Sequence, residues 1–319
     1  MNHDALRDQH YNAAIAGERR LHGAVMVIRV RPDRPLPPPR PGQWVELGLG
    51  IWERVMDGAE AGSARRVPPD ALVRRAYSIS SPILNPDLSR LIRPEEEDGL
   101  EFFLSLVVPP AERARKVPNL TGRLFCLREG DRLFMSETPQ GEYGVDGVGP
   151  QDDVLFLSTG TGEAPHNRMI WDLLRRDHAG RVASIVSVRR ALDLAYEPLH
   201  RRLADLFPRY RYAAVATREP GHDGRHLQEF LRDGDLETMA GFPLDPRRAH
   251  VYLCGNPGMI GPPRMLPAGR VFTQGPDGTY PGMDETGWRW SHALDAFSLI
   301  TAAVGERVYV TSGAENRTY

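Results

Sequence analysis

Val154-Leu155-Phe156-Leu157-Ser158-Thr159-Gly160-Thr161-Gly162-Glu163-Ala164-Pro165 is the stretch that decides the fold. Its unbroken apolar run suits a strand buried on both faces. The glycines that follow make a turn, and helical spacing runs on through Ile170, Leu173 and Leu174. The same rhythm repeats downstream, with strands over 182–188, 212–216 and 250–253 and helices over 198–206 and 226–231. Strand alternating with helix predicts a parallel sheet covered by helices on both faces.

Upstream the pattern changes. Ala24-Val25-Met26-Val27-Ile28 is apolar and β-branched and Pro32 ends it, Gln43-Trp44-Val45-Glu46-Leu47 alternates, and strand character returns over 76–80 and 100–108. Short strands between turn signals, without long helical periods, predict a small antiparallel barrel. The boundary falls near Gly149, giving a domain over 1–149 and another over 150–319. Residues 1–20 read as a frayed end or short helix, residues 53–71 as a surface insertion, and order is lost beyond Ile260.

With 319 residues the chain suits two domains. Hydrophobic content of 41% and charged content of 26% are those of a soluble globular protein. No run approaches the roughly 18 apolar residues of a membrane span, and the start lacks a signal-peptide pattern, so a cytoplasmic address is expected. The two cysteines, Cys126 and Cys254, have no metal-type spacing, which excludes an iron–sulfur cluster built by this chain and leaves no metal site to expect. A net charge of −2 argues against a polyanion binder. Positive charge is nonetheless clustered at Arg65, Arg66, Arg74 and Arg75 and again at Arg113, Arg115 and Lys116. Two readings stand: the habit of an arginine-rich composition, or a docking face for an acidic protein.

Three motifs carry the chemistry: Arg75-Ala76-Tyr77-Ser78, then Gly160-Thr161-Gly162-Glu163-Ala164-Pro165, then Cys254-Gly255-Asn256-Pro257. In this order, over residues 22–262, they resemble the ferredoxin–NADP⁺ reductase family, bacterial type. The resemblance implies an FAD-binding antiparallel β-barrel followed by a Rossmann-like NADP-binding α/β domain. Arg75 would grip the FAD pyrophosphate through paired charge-assisted hydrogen bonds, Tyr77 would lie on the flavin ring, and Ser78 would bond near the atom that receives hydride. Ala76 completes that motif, and Leu104, Ser105 and Leu106 match a strand whose backbone lies along the flavin. Asn119-Leu120-Thr121 would start the helix that meets the second flavin phosphate.

Gly160, Thr161 and Gly162 would let the main chain approach the bound dinucleotide. Here the sequence departs from the family: Glu163 replaces a usually apolar residue and sets a negative charge near an anionic ligand, and His166 stands where an aromatic is common. Arg189, Arg218 and Arg225, with Thr217, would make the pocket for a 2′-phosphate, favouring NADP(H) over NAD. Cys254 would sit beside the nicotinamide, followed by Gly255, Asn256 and Pro257, and the terminal Tyr319 would stack on the flavin. The implied activity is electron transfer between NADPH and ferredoxin or flavodoxin, by a monomer. A reductase serving an oxygenase or free flavin, and a non-catalytic FAD/NADP-binding module, remain as alternatives.

Overall fold

The structure is a computed structural model that describes residues 2–56, 68–106, 120–220, 224–245, 247–256 and 259, and the backbone of 308–312. A helix α1 (His3–His10) precedes six strands: β1 (Ala13–His22), β2 (Val25–Pro32), β3 (Trp44–Gly50), β4 (Leu72–Ser78), β5 (Leu100–Ser105) and β6 (Arg132–Met135). Helix α2 (Leu120–Leu124) lies between the last two strands. The sheet order is β4-β3-β6-β1-β2-β5 and every pairing in it is antiparallel. Its end strands β4 and β5 approach each other through a single bridge, Ser80 to Glu101. The sheet therefore curls like a barrel without a continuous closing ladder among the described residues.

Alternation along β4 fixes what faces inward. Val73, Tyr77 and Ile79 join Leu47, Phe102, Leu104 and Leu133 in the barrel core, while Ala76 packs on Trp44 outside it. Burying such side chains stabilises by about 1.5–3 kcal/mol each. Strand β1 was not expected, because residues 1–20 read as a frayed end or short helix. Register shifts between Ile15 and Gly17 and between Arg20 and His22 interrupt its alternation, and Glu18, Arg19 and Arg20 dilute it.

The second half contains β7 (Asp153–Thr159), α3 (Glu163–Arg175), β8 (Val182–Val188), α4 (Glu197–Leu206), β9 (Tyr210–Ala216), α5 (Leu227–Arg232), α6 (Asp235–Ala240), β10 (Ala249–Gly255) and β11 (Val308–Ser312). The sheet order is β11-β10-β7-β8-β9, all parallel. One face, carrying Leu155, Leu157, Ala183, Ile185, Val251 and Leu253, packs on α5 and α6 through Leu227, Phe230, Leu236 and Ala240. The other, carrying Val154, Phe156, Tyr252 and Cys254, packs on α3 and α4 through Met169, Ile170, Leu173 and Leu203. The expected two-sided parallel sheet is present.

The two halves share packing. Ile83 and Leu84, from the connection after β4, and Tyr143 and Val145, from the connection after β6, are buried in the α3 side of the second core. Ile83 holds a left-handed backbone with φ of 57°, a costly conformation for a β-branched residue that its burial enforces. Arg168 clamps the same connection with a bidentate bond to Glu97 at 2.9 and 3.1 Å, and the Trp171 indole donates to the Ile92 carbonyl at 2.9 Å. On the barrel's outer face, Val25, Val27 and Phe103 meet Ala164, Ala195 and Tyr196. No helix among the described residues is long and apolar enough to cross a membrane.

Candidate nucleotide-binding cleft

Strand order in the second sheet reverses at β7. The chain steps outward through β8 and β9, then returns to place β10 on the other side of β7. In open α/β sheets such a switch point leaves a crevice at the carboxyl ends of the strands, where ligands bind. Both downstream motifs end there. The Gly160–Gly162 turn follows β7, and Cys254 and Gly255 close β10.

The two motifs touch through their main chains. A Cβ on Gly162 would collide with the Cys254 carbonyl, and one on Gly255 with the Thr159 hydroxyl and backbone. Gly255 also has φ of 139°. The Asn256 N–H donates to Thr159 Oγ1 at 2.6 Å, tying the two turns together. Gly160 has φ of 52°, with open space where a side chain would begin, so the loop crest is bare backbone. Helix α3 starts immediately beyond, directing its free N–H groups and positive dipole end towards this crest. Strand β5 of the barrel lies against the same turn.

Glu163 corrects the sequence-based expectation. Its carboxylate does not face the cleft: it is 1% exposed, 3.1 Å from His200 Nε2 and 3.5 Å from the Tyr212 hydroxyl. A negative charge at the first turn of a helix is also favourable to the helix dipole. His166 takes the aromatic place as a flat ring between Phe156 and Tyr143, its Nε2 2.8 Å from the Tyr143 hydroxyl. Burial pushes this imidazole down to about 3, so it is neutral at physiological pH.

Arg189 and Arg218 lie side by side and exposed at the ends of β8 and β9, joined by Arg218 N–H donating to the Arg189 carbonyl at 2.8 Å. Thr217 N–H bonds the Val188 carbonyl at 2.9 Å in the same ladder. Neither guanidinium has a carboxylate partner among the described residues. Arg225 differs: its Nη1 is 2.7 Å from Asp235 and 3.7 Å from Asp233, and it lies over the Phe230 ring at 4.0 Å. Cys254 is fully buried beside Tyr143 and Tyr252.

In the barrel, Arg75 is half-buried and bonds the Arg74 carbonyl at 2.7 Å, while Arg74 lies 3.9 Å over the Phe134 ring. Ser78 is half-buried at the end of β4, opposite Trp44. Tyr77 is packed in the barrel interior, with its hydroxyl 3.1 Å from Thr121 Oγ1. Leu104 and Leu106 face the core and Ser105 is half-buried on the edge strand β5. Leu120 begins α2. Asn119, Pro257, Tyr319 and the cluster members Arg65, Arg66, Arg113, Arg115 and Lys116 lie outside the described residues.

Sequence reasoning passed over Ser80, Glu101, Asn167, Tyr196 and His200, which form a buried polar chain across the domain junction. One signal was present: Glu163 and Asn167 are four residues apart on the helix face that also carries Ile170 and Leu174, and polar residues inside an apolar stripe need buried partners.

Curled antiparallel sheet, parallel sheet and glycine turn at the switch point together define a two-domain, dinucleotide-dependent oxidoreductase. Residues 156–263 match the family model described as the oxidoreductase NAD-binding domain. A ferredoxin–NADP reductase of Pseudomonas aeruginosa is 32% identical over 228 residues, 69% of this chain and 74% of the relative. The flavodoxin/ferredoxin–NADP reductase of Escherichia coli is 28% identical over 229 residues, 71% of this chain and 77% of the relative. Among solved structures, a ferredoxin NADP⁺ reductase from Neisseria gonorrhoeae with bound FAD and NADP superposes with a TM-score of 0.59 at 20% identity. That match covers 78% of this chain and 87% of the other. The chain belongs to the ferredoxin–NADP reductase family.

Proposed function

We propose that the protein is an FAD-dependent reductase that passes electrons between NADPH and a one-electron carrier protein, ferredoxin or flavodoxin, acting as a cytoplasmic monomer. The observation that carries this is the switch-point cleft. A bare glycine crest with barrel strand β5 laid against it and a helix amino end lie at the carboxyl ends of the parallel strands, where β8 and β9 also end in two exposed arginines.

The residues fit both nucleotides. For the flavin, β4 offers the Arg75 guanidinium and the Ser78 hydroxyl, and β4 and β5 present facing edges joined by one bridge, leaving main-chain groups for a planar ligand. The family resemblance adds Ala76, Tyr77, Leu120, Thr121 and the 104–106 backbone to the flavin site, of which Tyr77 packs in the barrel interior with its hydroxyl 3.1 Å from Thr121 Oγ1. For NADP(H), Gly160, Thr161 and Gly162 hold the pyrophosphate and Arg189, Arg218 and Thr217 the 2′-phosphate, while Arg225 is a weaker contributor. Gly255 and Asn256 at the end of β10 would border the nicotinamide end with Cys254 buried behind them, and the family resemblance assigns Pro257 to the same end and Tyr319 the stacking role.

A bound flavin supplies the conversion between two-electron hydride and single electrons. The chain's own part is placement. Backbone N–H groups and arginines would bind the anionic groups, and Ser78 at the end of β4 would offer a hydrogen bond at the reacting edge.

Purified protein tests this directly. The expected result is a yellow protein bleached by NADPH far faster than by NADH, with cytochrome c reduction that depends on added ferredoxin or flavodoxin. Equal rates with free flavin and no carrier would assign a flavin reductase instead. A colourless protein that reduces nothing would leave a non-catalytic module.

A further inference from the structure

A continuous hydrogen-bonded chain crosses the junction between the halves, through side chains that are almost entirely buried. From the second half, the His200 ring has Nδ1 2.7 Å from the Tyr210 hydroxyl and Nε2 3.0 Å from Asn167 Oδ1, with Glu163 Oε1 at 3.1 Å. Asn167 Nδ2 then donates to Ser80 Oγ at 3.2 Å. Ser80 Oγ is 3.1 Å from the Tyr196 hydroxyl, which donates to Glu101 on β5 at 2.9 Å. Glu163, Asn167, Ser80 and His200 are each at most 1% exposed.

The donor inventory gives the chain one direction. Asn167 Oδ1 and the Glu163 carboxylate can only accept, so His200 Nε2 carries a proton. Asn167 Nδ2 can only donate, so Ser80 accepts from it and gives its own proton onward to Tyr196, whose proton is taken by Glu101. Both ends of the Asn167 amide are thereby used, and turning it over would set donor against donor at His200.

Asn167 lies one turn beyond the start of α3, the helix that opens at the Gly160–Gly162 turn, and its partner Ser80 lies two residues beyond Ser78. Ser80 is itself fixed by its N–H donating to the Glu101 carbonyl at 2.8 Å. One amide thus bridges the strand end assigned to the flavin and the helix assigned to the dinucleotide. This also explains how a carboxylate is tolerated at position 163, since His200 and Tyr212 are its polar partners.

We propose that Asn167 is a positioning residue. Bonded to His200 on one side and to Ser80 on the other, it sets the offset between the β4 end and the 160–162 turn, and so the approach of the two nucleotides. This rests on the functional reading above. Misplacement of about 1 Å at a reacting centre can lower rates by as much as about a hundredfold without loss of binding.

Asn167→Leu and Ser80→Ala break the same bridge from opposite sides, so one serves if the other fails to fold. Each should slow flavin reduction by saturating NADPH about tenfold, with FAD retention and the KM for NADPH changed less than about twofold. The double variant should lose clearly less than the product of the two single losses, because both changes remove the bond the two residues share. A readout apart from turnover is the long-wavelength charge-transfer absorbance formed when oxidised protein is mixed with NADPH or reduced protein with NADP⁺, which should weaken in both variants. Wild-type rates and absorbance in both variants, additive losses, or a loss confined to KM would overturn the proposal. Wild-type protein that retains no flavin would overturn the functional reading and this inference with it. Flavin-loaded, NADPH-reducible wild type with indifferent variants would overturn the inference alone.

Discussion

Nucleotide preference should depend on Arg218 more than on Arg225, although both belong to the arginine set that resemblance assigns to the 2′-phosphate. The Arg218 guanidinium is exposed beside Arg189 and has no carboxylate partner among the described residues, so a phosphate there meets an uncompensated charge. A charge-assisted hydrogen bond contributes about 1.5–3 kcal/mol, and exposure puts this one at the lower end, about 1.5 kcal/mol or roughly tenfold. Arg225 is already satisfied by Asp235 at 2.7 Å, with Asp233 at 3.7 Å. A phosphate there displaces a partly exposed pair worth about 0–1 kcal/mol and gains only the difference, about 0.5–1.5 kcal/mol, so its removal should cost about two- to tenfold and no more than at Arg218. Steady-state kcat/KM with NADPH and NADH measures both. Arg218→Ala should lose about tenfold with NADPH and almost nothing with NADH. Arg225→Ala should lose less, and Asp235→Asn should improve NADPH use by up to about fivefold by removing the nearer carboxylate from Arg225. A larger loss at Arg225 than at Arg218, an impaired Asp235→Asn, or equal losses with both dinucleotides would refute the reasoning.

Arg75→Ala should lower FAD retention about tenfold, seen as flavin lost on gel filtration, while the fold by circular dichroism stays intact. Arg168→Met leaves the Glu97 carboxylate unpaired at a largely buried site (side chains 5% and 13% exposed). It should destabilise by about 3–5 kcal/mol in urea unfolding, and Arg168→Met with Glu97→Met should recover most of that. His166 titrates at about 3 in the fold against an ordinary 6.5, so the unfolded chain binds the extra proton between those values. Stability is then full above about pH 6.5 and lost on acidification, by about 2 kcal/mol between pH 7 and pH 5. His166→Phe should flatten that part of the Tm-against-pH curve, and an unchanged slope would show that other groups carry it.

The parallel half was legible because β7 and β8 are runs of largely apolar residues buried on two faces, as in Val154-Leu155-Phe156-Leu157, and β7, β8 and β9 are each followed by a helix. The barrel half was legible only in part. Strand β6 spans four residues with Arg132 at its edge, and β1 loses its period at its register shifts. Helix α6 was passed over because its six residues are too few to display a periodic stripe, and β11 because it follows a long stretch without strand character. In the cleft, glycine positions were readable, since a tight turn needs them wherever it occurs. Side-chain partnerships were not. Whether Glu163 points at the cleft or away depends on His200 from the next helix, and whether Arg225 is available depends on Asp235. Such facts belong to tertiary contact and leave no local trace.

Ile83, held in its left-handed turn inside the core of the other half, bears on how this protein can be recombined with its relatives. A crossover near residue 149 would pair the 79–98 connection of one parent with the α3 surface of another. Functional hybrids should instead arise when that connection travels with its helix, so the heritable unit of exchange is not the folding half that inspection of the chain suggests.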